Sequence, residues 1–361
     1  MKNVNVAIIG CGRISGHHCD AILSTEGLTL AAVCDLEQSK ATAYAEKYRV
    51  LGYSNYHTML KQQPEIDIVV IATPSGMHFE HSMEIMKEYK KNIIVEKPTF
   101  MKPGQVTEAY KMASNLGLQI FPIFQNRYNS AVQRVKKSLQ QEELGVPQIF
   151  SVRVRWCRPQ RYYDLSEWRG TFSQDGGALS NQGVHHIDLL RYLGGEVDEV
   201  TSLHRTFGAN IEVEDSAVAT IKFKNGAVGT LEITTAARPD DFEASISIVG
   251  SKGLAQIGGK AVNELNLFTP KPEDCALFSE DFTGSVYGNG HKCLYHSISS
   301  YFHNKEDYLI SEQDCLNSIK LLHSFYVSHE SGKTYNLSEG KESARLGEFN
   351  EKLFSLYRTQ R

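Results

Sequence analysis

Up to residue 124 the chain alternates short apolar runs with stretches of helical periodicity. The runs are VNVAIIG (4–10), LTLAAVCD (28–35), IDIVVIATP (66–74), NIIVEKP (92–98) and LQIFPIF (118–124). Strands that are apolar on both faces, with helices between them, predict a parallel sheet covered on both sides. The expected result is a doubly wound α/β domain over residues 1–124. Beyond about residue 125 the pattern acquires a period of two, in QIFSVRVRW (148–156), SAVATIKF (216–223) and AVGTLEITTA (227–236). Lys224-Asn225-Gly226 separates the last two, and Asn-Gly is the preferred two-residue hairpin turn. FEASISIVG (242–250) and LAQIGG (254–259) flank Ser251-Lys252-Gly253 as a second hairpin. Residues 125–361 are therefore expected to form an α+β domain with an open, mostly antiparallel sheet. Helices are expected near 128–141 and 178–190, and residues 270–290 read as a long loop.

Composition narrows the class. The 361 residues are 41% hydrophobic and 22% charged, as in a soluble protein of two domains. A net charge of −4 without a basic block argues against nucleic acid. No apolar run approaches the ~20 residues that cross a bilayer, and VNVAIIG is too short for a signal-peptide core. Seven cysteines without a C-x-x-C pair argue against a disulfide framework or structural zinc. A cytoplasmic protein is the expectation.

GCGRIS (10–15) follows the first strand and opens a helix. Gly10 allows the tight turn, Gly12 allows a pyrophosphate to approach, and Ser15 is small enough for close helix–strand packing. The helix N-terminus, with Arg13 and Ile14 at its entrance, offers amide donors to phosphates. Asp35, 20 residues after Ser15, suits both ribose hydroxyls and repels a 2′-phosphate, so NAD is expected rather than NADP. ATPSGMH (72–78) ends another strand of the same sheet. There Thr73, Pro74 and Ser75 are placed to meet the nicotinamide ribose, or simply to cap the next helix. His78 and His81 share a helix face but lack a third ligand, so no metal is expected. VEKP (95–98) places Lys97 at a further strand end, where apolar surroundings and a positive nicotinamide would depress its pKa and suit proton transfer. The alternative is an ordinary surface lysine.

Together GCGRIS, Asp35, ATPSGMH and EKP resemble the Gfo/Idh/MocA oxidoreductases, which pair a Rossmann domain with an open-sheet C-terminal domain. QNRYN (125–129), RPQRYYD (158–164), WRGT (168–171), DGGALSNQGVHHIDLL (175–190), NIEVED (210–215), GGKAVNEL (258–265) and SVYGNGH (285–291) extend the likeness. These later motifs look most like the UDP-N-acetyl-2-amino-2-deoxyglucuronate 3-dehydrogenases. Such enzymes oxidise carbon 3 of a UDP-linked N-acetylaminouronate (UDP-GlcNAcA), and the 3-keto product becomes a 2,3-diamino sugar of surface polysaccharide. The resemblance implies Lys97 and His185 as the catalytic pair, with Asn181 where many relatives carry an acid. It also implies that Glu96, Lys97, His78 and Gln125 lie at the cofactor, with Trp168 and Arg169 reaching it from the second domain. Dimers or tetramers, and NAD that is held tightly and reoxidised by 2-oxoglutarate, follow from the same likeness.

On a continuous helix Asn181, His185 and Asp188 share a side, and His186 is rotated by about 100°. If Asn181 faces the site, His185 is the histidine that accompanies it. An isolated histidine in an apolar helix is otherwise a hydrogen-bonded structural residue. It is the resemblance that implies His185 as the working histidine, with His186 as packing. A neutral Asn181 orients by hydrogen bonding and leaves His185 able to accept a proton. Cations for a carboxylate and a diphosphate are sought in Arg127, Arg158 and Arg161, with Asn129, Tyr162 and Tyr163 as hydrogen-bonding neighbours. Arg153 and Arg155 read instead as a solvated or interface face. His291 is placed to close over the sugar, or is a plain loop residue. Two other readings stand beside the leading one: a dehydrogenase of another sugar, an inositol or a different sugar nucleotide, and a non-enzymatic NAD-binding sensor or scaffold.

Overall fold

The structure is a computed structural model that describes residues 3–282 and 288–360. Ser285, Val286 and Tyr287 of the SVYGNGH stretch therefore lie outside the described residues. The chain forms two compact units. Unit 1 comprises Met1–Ile123, His291–Leu316 and Phe349–Arg361, and unit 2 comprises Phe124–Gly290 and Asn317–Glu348. The first passage between them falls at Ile123/Phe124, one residue before the expected boundary at 124/125. Two later segments return to unit 1, anchored by long-range contacts that local patterning does not reveal. In one, Ser299 donates to the Glu26 carbonyl; in the other, Arg358 forms a fork-like pair with Glu80.

Unit 1 is built on β1 (Val4–Ile9), β2 (Leu28–Cys34), β3 (Leu51–Tyr53), β4 (Ile68–Ile71), β5 (Asn92–Val95) and β6 (Ile120–Pro122), all parallel, in the order β3-β2-β1-β4-β5-β6. Val6–Ile9, Ile68–Ile71 and Ile93–Val95 are almost wholly buried, as apolar runs between two helical layers require. The short edge strand β3 is absent from the hydrophobic pattern because its residues are largely exposed. Order reverses between β2-β1 and β1-β4, and the crevice beyond these strand ends is where such sheets bind ligands.

Unit 2 holds β7 (Pro147–Arg155), β8 (Val197–Arg205), β9 (Ser216–Phe223), β10 (Val228–Thr234), β11 (Glu243–Gly250), β12 (Leu254–Gly258), β13 (Glu264–Phe268) and β14 (Tyr335–Asn336), in the order β13-β12-β11-β7-β10-β9-β8-β14. Within this sheet, among the described residues, only β7 and β10 pair in parallel. Both expected hairpins form, but the first is a three-residue loop. Gly226 alone among its loop residues has positive φ (90°), so the turn is not the two-residue type that needs positive φ at both central positions. The expected single helix over 178–190 is interrupted: Ala178–Gln182 is a π-helical turn and Val184–Gly194 an α-helix. Among the described residues no helix is long and apolar enough to cross a membrane. All seven cysteines are unbridged.

Candidate active site

At the end of β1, Gly10 adopts φ +93°, and a Cβ there would stand 2.5 Å from the Ala72 carbonyl oxygen. Only glycine lets this turn pass so close to the end of β4. Ser15 closes the turn by donating its hydroxyl to the Gly10 carbonyl (2.5 Å), and the helix Ser15–Leu23 follows. Gly12 is exposed and has no neighbour within 4 Å of a Cβ position, which leaves room for a diphosphate at the helix N-terminus. Asp35, just past β2, accepts from the Cys11 and Glu37 amides (2.7 and 2.9 Å) and remains partly exposed. An open glycine cradle with an oriented acid beside it fits an adenine dinucleotide. Arg13, Ile14 and the Thr73-Pro74-Ser75 segment border the same strand ends.

Two expected cofactor contacts are corrected. Both ring nitrogens of His78 are engaged by main-chain carbonyls, Nδ1 with Pro98 (2.9 Å) and Nε2 with Thr73 (3.0 Å). His78 thus clamps the β4 end to the segment after Lys97 and has no ring nitrogen left for NAD. Thr73 retains its place but shares its hydroxyl with His81 Nδ1 (3.0 Å). The Glu96 carboxylate is turned inward: Oε1 meets His18 Nε2 (2.9 Å) and Oε2 accepts from the Lys97 amide (3.0 Å). Burial alone would raise this carboxyl, but hydrogen bonds from His18 and His291 hold it well below the usual range. Lys97 itself is half-buried, beyond the end of β5.

In unit 2 the helix Val184–Gly194 carries His185, buried, with its ring edge-on to Phe124 at 6.3 Å. His186 is fully buried against Trp156, and burial pulls its pKa down to about 4, which suits a packing histidine. Asn181 does not stack on His185 through an unbroken α-helix. It lies in the π turn and donates to Asp175, whose other oxygen accepts from Gly170 N (2.6 Å). Asp175 therefore ties the WRGT loop to Asn181, a role no single motif announced. Gln125 has a buried Oε1, and Arg169 a buried Nε, without hydrogen-bond partners among the described residues. Arg169 also stacks on Trp168 and Tyr162 and donates to the Tyr162 hydroxyl (2.5 Å).

The substrate set shrinks. Arg127 is 1% exposed, and its Nε and Nη2 both bond the Asp188 carboxylate (2.8 and 2.7 Å), so the pair is structural. Asn129 donates from a buried position to the carbonyls of Ala261 and Val262, both in the GGKAVNEL stretch. Tyr163 is buried with its hydroxyl on Thr235 (3.0 Å). His291 belongs to unit 1 and is buried beside Glu96 instead of covering a sugar. Arg158 pairs with Asp241 (2.8 Å). Arg161 is exposed and has no ion pair among the described residues, so it is the cation still available.

Glu214, of the NIEVED stretch, was not foreseen either. It accepts from Leu179 N (3.0 Å) and the Tyr326 hydroxyl (2.8 Å), and its carbonyl accepts from Ala178 N, so it seats the π turn ahead of His185. Burial raises its pKa to about 8, against the pull of those two hydrogen bonds. The native state then keeps a proton that the unfolded chain releases near the ordinary carboxyl pKa. Stability is therefore expected to fall as pH rises from that value toward about 8, and then to level off. Glu214→Gln keeps the acceptor and removes the titration. Its melting temperature should gain on the parent between about pH 5 and pH 8, and a constant difference would contradict this.

Residues 4–124 match the oxidoreductase family with an NAD-binding Rossmann fold, and residues 132–256 match the Gfo/Idh/MocA C-terminal domain. The WlbA dehydrogenase from Bordetella pertussis, solved with NADH and UDP-GlcNAcA, is 32% identical over 93% of this chain and 98% of its own, with a TM-score of 0.88. The chain belongs to the Gfo/Idh/MocA oxidoreductase family. A WlbA dehydrogenase from Chromobacterium violaceum, also solved with NADH and UDP-GlcNAcA, is 31% identical over 93% of this chain and 96% of its own, TM-score 0.85. Myo-inositol 2-dehydrogenase of Thermotoga maritima is 23% identical over 91% of this chain and 92% of its own. This Gfo/Idh/MocA protein is thus an NAD-dependent sugar oxidoreductase.

Proposed function

We propose that the enzyme oxidises the carbon-3 hydroxyl of UDP-GlcNAcA to the 3-keto sugar. The observation that carries this reading is its likeness to the WlbA structures, which spans both domains at 31–32% identity. NAD supplies the hydride acceptor. The protein's part is to take the hydroxyl proton as hydride leaves carbon 3, and Lys97 and His185 are the groups assigned to it. Asn181, held by Asp175, orients the sugar. Arg161 and the Arg169–Tyr162 stack supply the cationic and aromatic surface for a uronate or diphosphate. The 3-keto product is chemically suited to amination toward a 2,3-diamino sugar of surface polysaccharide.

The test is a panel of UDP-sugars, with and without 2-oxoglutarate, followed by product mass and NADH absorbance. A 3-keto uronate, formed catalytically only when 2-oxoglutarate reoxidises retained NADH, is the expected result. Turnover of an inositol or a free sugar alone would move the substrate, and tight NAD binding without turnover would favour a sensor.

A homo-oligomer is part of the same proposal. On the outward sheet face Ile149 pairs with Val228, and Val218 with Leu203, each 45–60% exposed. These two aliphatic pairs, set among Thr220, Thr230, Lys222 and Glu232 on an open sheet face, are the expected packing positions for a second copy. Val218→Lys should shift the protein to a smaller species in sedimentation; an unchanged mass contradicts the assignment.

A further inference from the structure

Beneath the strand end that carries Lys97 lies a buried group that the proton transfer does not itself use. His18 (0% exposed) bonds Tyr295 through Nδ1 (2.8 Å) and Glu96 through Nε2 (2.9 Å). His291 approaches the same carboxylate oxygen through Nε2 (3.7 Å), and its ring stands edge-on to His18 at 5.1 Å. The other carboxylate oxygen accepts from the main-chain amide of Lys97 (3.0 Å). All four side chains belong to unit 1, yet they come from three separate pieces of chain: the helix Ser15–Leu23, the β5 end, and the helix Gly290–Asn304. A carboxylate this deeply buried is tolerated only when its oxygens are met by donors. Here one of those donors is the backbone of the proposed base.

We propose that His18 is a positioning residue for Lys97, acting through Glu96. The imidazole fixes the carboxylate, the carboxylate fixes the Lys97 amide, and Tyr295 fixes the imidazole ring. The orientation of the base is then set from the helix that also receives the cofactor phosphates. The inference rests on the reading of Lys97 as a proton-transfer group, so its test separates the two.

The experiment is a double-mutant cycle on the full-length enzyme, measured with whichever sugar supports turnover. His18→Leu is expected to lower kcat by about 10–100-fold, with sugar KM and NAD affinity changed by less than about twofold. His18→Gln, which returns a donor toward Glu96, should recover most of the loss. Placed on a Lys97→Ala background, His18→Leu should have almost no further effect on kcat, because its action passes through Lys97. Tyr295→Phe, which removes only a hydroxyl, should give a smaller loss of the same kind if His18→Leu does not fold. Full effects in the Lys97→Ala background, or parallel losses in KM and NAD affinity, would overturn the positioning role. Stoichiometric zinc in the purified enzyme, lost in His18→Leu, would overturn it in favour of a metal site formed by His18, Glu96 and His291. A Lys97→Ala enzyme with full activity would instead sink the base assignment.

Discussion

Lys97→Ala is expected to lower kcat by about 10²–10⁴-fold while NAD still binds, because general acid–base catalysis contributes a factor of that size. The dinucleotide cradle assigned to Gly10, Gly12, Ser15 and Asp35 lies at the ends of β1 and β2, whereas Lys97 follows β5. The backbone at position 97 also survives the change, since its amide bonds Glu96 irrespective of side chain. The loss should therefore appear in kcat and kcat/KM together, the pattern of a contact made in the transition state. His185→Asn serves as the companion. If it retains full activity while Lys97→Ala does not, the lysine alone handles the proton. Stopped-flow NADH formation in a single turnover checks both variants without interference from cofactor release.

Asp188→Ala should carry the largest stability effect, about 3–5 kcal/mol, because removing one partner of a buried ion pair strands the other charge. Arg127 is 1% exposed, and Asp188 meets it with both oxygens while Ser318 donates to one of them (2.7 Å). The pair ties the stretch just after the first passage between units to the helix bearing His185 and to the helix Glu312–Ser331. Both tryptophans, Trp156 and Trp168, lie in unit 2, so urea unfolding followed by their fluorescence reports on the affected unit. The double variant Arg127→Met/Asp188→Leu should recover most of the loss, since an apolar pair of similar volume removes the buried charge altogether. A midpoint unchanged in Asp188→Ala would mean that the arginine reaches water.

The residues that were legible are those whose role is local. Gly10, Gly12, Ser15 and Asp35 act through a turn and a strand end, and period and spacing expose both. The alternation of apolar and polar positions likewise gave β7, β9, β10, β11 and β12. What escaped was decided by distant partners. His18 finds Glu96 78 positions away and Tyr295 277 positions away. Glu214 finds Tyr326 across 112. Arg127, Asn129, Tyr163 and His291 look like ligand groups because they are polar, yet their polar atoms serve buried partners whose identity only the folded chain supplies. The π turn at Ala178–Gln182 also escaped, because the sequence carries the apolar periodicity of an ordinary helix through it. Gly183, just after the turn, packs so tightly on Ile233 that a Cβ there would collide with it.

The central claim concerns one carbon of one sugar. UDP-GlcNAcA deuterated at carbon 3 should transfer its label to the nicotinamide, giving enzyme-bound NADH heavier by one mass unit and an unlabelled 3-keto product. Turnover that leaves deuterium in the sugar, or NADH labelled only from a substrate deuterated at carbon 4, would contradict the account.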